Sequence, residues 1–138
     1  MAVRNRFAEL LPEITAWRRD LHENPELLFD THRTSEQVAM RLKEFGCDEI
    51  VTGLGRTGVV GLIKGKSDTK GKVVGLRADM DALPILEDTD VEYASKNPGV
   101  MHACGHDVHM TSLIGTARQL ATRKDDWNGT LVMIMQPA

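Results

Sequence analysis

Apolar residues keep a helical period through the first third of this chain and then abandon it. Phe7, Leu10, Leu11, Ile14, Trp17 and Leu21 recur every three or four positions. That spacing predicts an amphipathic helix running through about residues 19–21, which Asn24-Pro25 stops. Thr34-Ser35-Glu36-Gln37 has the form of a capping box, so a second helix is expected from Thr34. Val38, Leu42 and Phe45 supply its apolar stripe, and Gly46 its C-terminal cap. Short β-branched runs then take over. Residues 58–64 and 72–77 flank a polar, glycine-bounded segment and read as a hairpin. An irregular stretch with Pro84 and Asn97-Pro98-Gly99 follows Asp79. His109, Met110, Leu113, Ile114, Ala117 and Leu120 trace a third helix face, and Asn128-Gly129 turns the chain into a last strand over 130–135. This order predicts an α/β fold, a mixed β-sheet flanked by helices.

The bulk properties narrow the function classes. A chain of 138 residues fits one domain with a modest core. Its net charge of −3 offers no basic field for nucleic acid or an anionic membrane. Apolar runs such as 59–63 and 131–135 are far too short to span a bilayer. Acids and bases are spread through residues 4–20, leaving no signal-peptide core. With two cysteines, Cys47 and Cys104, and no secretory signal, reduced thiols and a cytoplasmic location are expected. The strand at 131–135 reads as buried yet lies three residues from the end, which gives the chain the look of one cut short.

Chemistry concentrates in Met101-His102-Ala103-Cys104-Gly105-His106-Asp107-Val108-His109. Cys and His are favoured ligands of zinc and related metals, and a carboxylate commonly orients a liganding His. Cys104 and His106 stand two apart, so in an extended loop both reach one side. Gly105 between them lets the backbone turn sharply. Asp107 and His109 either ligate or open the third helix. Asp107 suits a supporting carboxylate at the positive helix end, and His109, on the apolar stripe, a structural role. His102 is ambiguous. A second cluster, Arg77-Ala78-Asp79-Met80-Asp81-Ala82-Leu83-Pro84, sits at the end of an expected strand, where ligands gather in α/β sheets. His22 and His32, among charged neighbours, read as surface or salt-linked residues. Cys47 reads as a small buried one.

Residues 77–84 and 99–109, with the terminal Gln136-Pro137-Ala138, resemble the signature segments of one metallopeptidase family. It is the hippurate hydrolase branch of the aminoacylase/carboxypeptidase superfamily. The branch includes N-acyl-amino-acid amidohydrolases, N-acetyldiaminopimelate deacetylases and plant auxin-conjugate hydrolases. Arg18-Arg19-Asp20-Leu21-His22 and Pro25-Glu26-Leu27 are similar to its N-terminal helix, so the resemblance covers essentially the whole chain. It implies a zinc-peptidase-like catalytic domain binding two divalent ions (zinc, manganese, cobalt or nickel), with Cys104 and His106 as ligands. Related peptidases carry His-x-Asp-x-x-Pro. The segment from Asp79 to Pro84 matches that spacing with Asp79 where the His would stand, so Asp81 inherits the catalytic aspartate role. Asp79 and Asp107 remain as supporting carboxylates.

The resemblance further implies hydrolysis of the amide bond of N-acyl amino acids, a small-molecule substrate, and a homodimer for the intact protein. In the family, Gln-Pro-Ala runs into two glutamates, and later histidine ligands and a dimerisation (lid) domain follow. Residues 1–138 are therefore expected to be the N-terminal portion of the catalytic domain, inactive alone. Two other readings compete. One is a non-catalytic metal-binding or interaction module that keeps the fold. The other makes Cys104 a redox or nucleophilic thiol beside His106.

Overall fold

The computed structural model describes residues 2–138, with side chains from Phe7 onward. In chain order the elements are α1 (Ala2–Glu23), α2 (His32–Glu44), β1 (Glu49–Leu54), β2 (Gly58–Lys64), β3 (Val73–Asp79), α3 (His106–Ala121), a 3-10 turn (Lys124–Asp126) and β4 (Thr130–Gln136). The strands form one sheet in the order β1-β2-β4-β3. β1–β2 and β2–β4 are antiparallel and β3–β4 is parallel, the mixed sheet that the element order implied.

Side-chain alternation decides which face is covered. Val59, Ile63, Leu131, Met133 and Met135 point to the same face and pack in one core with Leu21 of α1, Val38 and Leu42 of α2, and Met110, Ile114 and Ala117 of α3. Gly61 lies where Leu42 crosses the sheet. A Cβ there would stand 3.0 Å from Leu42 Cδ1 and 3.2 Å from Met133 Cε, so the close approach requires glycine. On the opposite face Val60, Leu62 and Val132 are half-buried and Ile134 is exposed. The helices thus cover one face of the sheet.

Two expectations are corrected. Strands β2 and β3 are not a hairpin, because β4 lies between them. The run Leu131-Val132-Met133-Ile134-Met135 is apolar on both faces and takes an interior place, while the return through α3 makes its pairing with β3 parallel. The hairpin partner of β2 is β1, a strand the sequence reading did not identify.

Helix α2 starts at His32, one turn's fraction ahead of the capping box. Its first amides are capped from outside: Glu26 Oε1 accepts from Arg33 N–H at 3.0 Å, and Glu26 Oε2 from Thr34 N–H at 2.8 Å. Thr34 is fully buried inside the helix. Helix α3 begins at His106, which puts Asp107 in its first turn as expected. Among the described residues no helix is long and apolar enough to cross a membrane.

Candidate metal centre

Strand β3 ends at Asp79 and delivers Asp81 just beyond the sheet's edge. The chain then travels through residues 84–100 and is brought back by an isolated bridge. Leu83 N–H donates to Met101 O at 2.9 Å, and Met101 N–H to Leu83 O at 3.0 Å. Ala82 N–H is held on Glu26 O at 2.8 Å. This fastening sets the start of α3 against Asp81.

His106 Nδ1 lies 2.8 Å from the Asp81 carbonyl oxygen and 3.0 Å from Asp81 Oδ1. Both oxygens accept, so Nδ1 carries the proton and donates, and Nε2 keeps its lone pair. A carboxylate on one imidazole nitrogen with the other nitrogen free is the arrangement that prepares histidine to ligate a metal. Cys104, two residues earlier, is free and exposed. Between them Gly105 has φ 78° and ψ 19°, left-handed geometry that opens α3. Nothing lies within 4 Å of a Cβ there, so the demand for glycine is one of backbone conformation, not space.

The other candidates are placed differently. Asp79 pairs with Arg77 Nη2 at 2.5 Å, along its own strand. Asp107 is fully buried and faces α1: it accepts from His22 Nδ1 at 2.7 Å and is ion-paired with Arg18 Nε at 2.9 Å. His109 is exposed, its ring centroid 5.9 Å from that of His106, so the packing role expected for it is not observed. Met110, Leu113, Ile114 and Ala117 form the buried stripe without it.

Cys47 is half-buried, and burial raises its thiol to about 11. His32 is exposed, 3.8 Å from Asp30. His22 is salt-linked as expected but buried, only 4% exposed. Its ring nitrogens face Asp107 Oδ2 and, at 3.0 Å, Glu87 Oε1, and Nδ1 also lies 3.3 Å from Arg18 Nη2.

His102 is 3% exposed, and neither of its ring nitrogens has a hydrogen-bond partner. Burial lowers it to about 4, with Asp107 opposing and His22 and His106 adding to the effect, so its ring is neutral at pH 7. A neutral, buried, unpartnered imidazole is suited to a metal or other polar ligand.

Among the described residues no three His, Cys, Asp or Glu side chains converge on one point. Apart from buried His102, the described residues of the ligand run present an accessible thiol and an imidazole already in its ligating tautomer. Sulfur with neutral imidazole nitrogen is the donor chemistry of zinc and its neighbours, so these residues fit part of such a shell. The sequence reading missed the Arg18–His22–Asp107–Glu87 network. One signal pointed to it: Arg18 and His22 lie four apart on one face of α1, beside the stripe residues Ile14, Trp17 and Leu21.

Residues 75–138 match the model of peptidase family M20/M25/M40. The chain is 51% identical over 131 residues to the hippurate hydrolase of Campylobacter jejuni, covering 94% of this chain and 33% of that protein. It is 45% identical over 130 residues to the N-acyl-L-amino acid amidohydrolase of Geobacillus stearothermophilus, covering 94% of this chain and 34% of that one. A Bacillus subtilis protein solved as a dinuclear metal binding peptidase of the M20 family superposes with a TM-score of 0.86 at 46% identity, over 92% of this chain and 35% of that chain. The chain spans about a third of the length of the relatives it matches. On fold and sequence together, the chain carries a peptidase M20/M25/M40 domain over residues 75–138 and is similar, over nearly its whole length, to hippurate hydrolases and N-acyl-amino-acid amidohydrolases.

Proposed function

We propose that the protein carrying this chain hydrolyses the amide bond of N-acyl amino acids, small substrates of the hippurate kind, at a centre of two divalent ions. Cys104 and His106 are two of its ligands, and Asp81 fixes His106. The observation that carries this reading is the Asp81–His106 contact, at 2.8 and 3.0 Å, which leaves Nε2 as a ligating atom. The names of its relatives supply the reaction class. The chemistry available there when divalent ions are bound is Lewis-acid polarisation of a scissile carbonyl and acidification of water.

The chain's own residues have narrower tasks. Cys104 ligates as the thiolate, so its proton leaves as metal enters. His106 keeps its Nδ1 proton on Asp81 throughout, which fixes the ring's direction. Asp79 and Asp107 support the shell from outside it, Asp107 by anchoring the first turn of α3. Residues 1–138 form the N-terminal part of the catalytic domain in this reading. Free Cys47 and Cys104 accord with a cytoplasmic protein.

The test is metal content and hippurate hydrolysis of the protein expressed from its complete reading frame. Two ions per chain are expected. Cys104→Ser should lose metal and activity together, and Asp81→Ala should weaken metal binding by about 10–100-fold. Full activity in a metal-stripped protein, or in Cys104→Ser, would sink the proposal. Because no three candidate ligands converge among the described residues, one weak ion without hydrolysis is the outcome that would favour a non-catalytic module.

A further inference from the structure

His22 lies outside the ligand run, yet two of its hydrogen bonds bracket the Asp81–His106 pair. Nδ1 donates to Asp107, the residue after His106, at 2.7 Å. Nε2 donates to Glu87, six residues beyond Asp81, at 3.0 Å. Two segments that meet at Asp81–His106, and are already bridged at Leu83–Met101, are thus tied again through one imidazole on α1. The tie is buried: the side chains of His22 and Glu87 are 5% and 4% exposed, and that of Asp107 is 0%.

Further contacts hold the Glu87 side of the tie on α1. Ser95 N–H donates to Glu87 Oε2 at 2.7 Å, and Lys96 N–H to Glu23 O at 2.8 Å. Tyr93 is covered by the guanidinium groups of Arg18 and Arg19, 5.0 and 4.6 Å from its ring centroid. Opposite it, Asp107 takes the ion pair from Arg18 and Val108 N–H at 2.9 Å. Asp107 and Glu87 each have these other partners, but among the described residues only His22 joins one to the other.

We infer that His22 is a positioning residue for the metal centre. By tying Asp107 to Glu87 it holds the start of α3 and the loop after β3 at the separation that keeps Asp81 on His106 Nδ1. This rests on the metal reading proposed above. The Asp107 arm matters more, because it is the shorter bond, fully enclosed, and one peptide unit from His106.

The side-chain amides of Asn and Gln divide the imidazole's work, Asn reaching where Nδ1 stands and Gln where Nε2 stands. His22→Asn keeps the Asp107 arm and His22→Gln keeps the Glu87 arm. The readout is a cobalt titration of the protein expressed from its complete reading frame. It follows the thiolate-to-cobalt absorption of Cys104 below the melting temperature of each variant. His22→Gln should lower cobalt affinity by about tenfold or more, the effect of losing an outer partner of a ligand. His22→Asn and Glu87→Ala cut the same arm, so both should fall by a smaller and similar factor.

Unchanged affinity in His22→Gln with a lowered melting temperature would make His22 a merely structural residue and overturn the inference. Equal losses in His22→Asn and His22→Gln would overturn the ranking of the arms. If His22→Gln fails to fold, Glu87→Ala decides, and an unaltered titration there rejects the tie. A parent protein without the cobalt–thiolate band would instead reject the metal reading, and this inference with it.

Discussion

Burial and hydrogen bonding act on the Glu87 carboxyl in opposite directions. Burial alone would raise it, but bonds from Thr89, His22 and the Ser95 N–H, with the charge of His22, bring it down to about 2 from an ordinary 4.5. The sign for stability follows directly. As pH falls through 4.5 the unfolded chain takes up this proton, while the folded chain resists until about 2. Stability held above pH 4.5 is therefore lost progressively across that window. Denaturant unfolding at several pH values should show the loss, and Glu87→Gln should flatten that part of the profile. A Gln variant with the parent's acid slope would show that Glu87 contributes nothing to it. Cys104 and His106 stood out in the sequence because residue type and short spacing carry their chemistry, while Asp81 stood out only through the resemblance to related peptidases. Glu87 and His22 did not, since each has meaning only through partners 65 and 85 residues away.

Helix α2 shows why element boundaries are harder to read than elements. A capping box at Thr34 and a remote carboxylate at Glu26 satisfy the same orphan amides, and local sequence favours the first. The chain uses the second. Glu26 accepts from two consecutive amides while its own carbonyl holds Ala82, so one residue caps a helix and pins the loop that carries Asp81. Glu26→Ala should cost about 1 kcal/mol, a typical N-cap loss. In a domain of this size that is a melting temperature lower by roughly 2–4 °C. Calorimetry measures it, and an unshifted transition would show that water replaces the cap at no cost. The hairpin misreading has a similar origin. Two short apolar runs across a polar, glycine-bounded segment satisfy a local rule, and only the doubly apolar β4 reveals that another strand belongs between them.

At the scale of the whole molecule, the mixed sheet, the helices and the order of elements were readable, because periodicity reports burial. The neighbours of each strand were less so, because pairing depends on which segments compete for the interior. The parallel pairing of β3 with β4 carries a consequence for how the protein forms. The β1–β2 hairpin closes over a short turn, whereas β3 must wait for a partner more than fifty residues later in the chain. Closing so long a loop is entropically slow relative to a local hairpin. Amides of β1 and β2 should gain protection in pulse-labelled hydrogen exchange before those of Val74 to Ala78, and the reverse order would refute this. Asp81 and His106 both lie within the stretch that the late pairing closes. The proposed ligands are then organised only at the end of folding, and mild denaturation should disperse them before the β1–β2 hairpin opens.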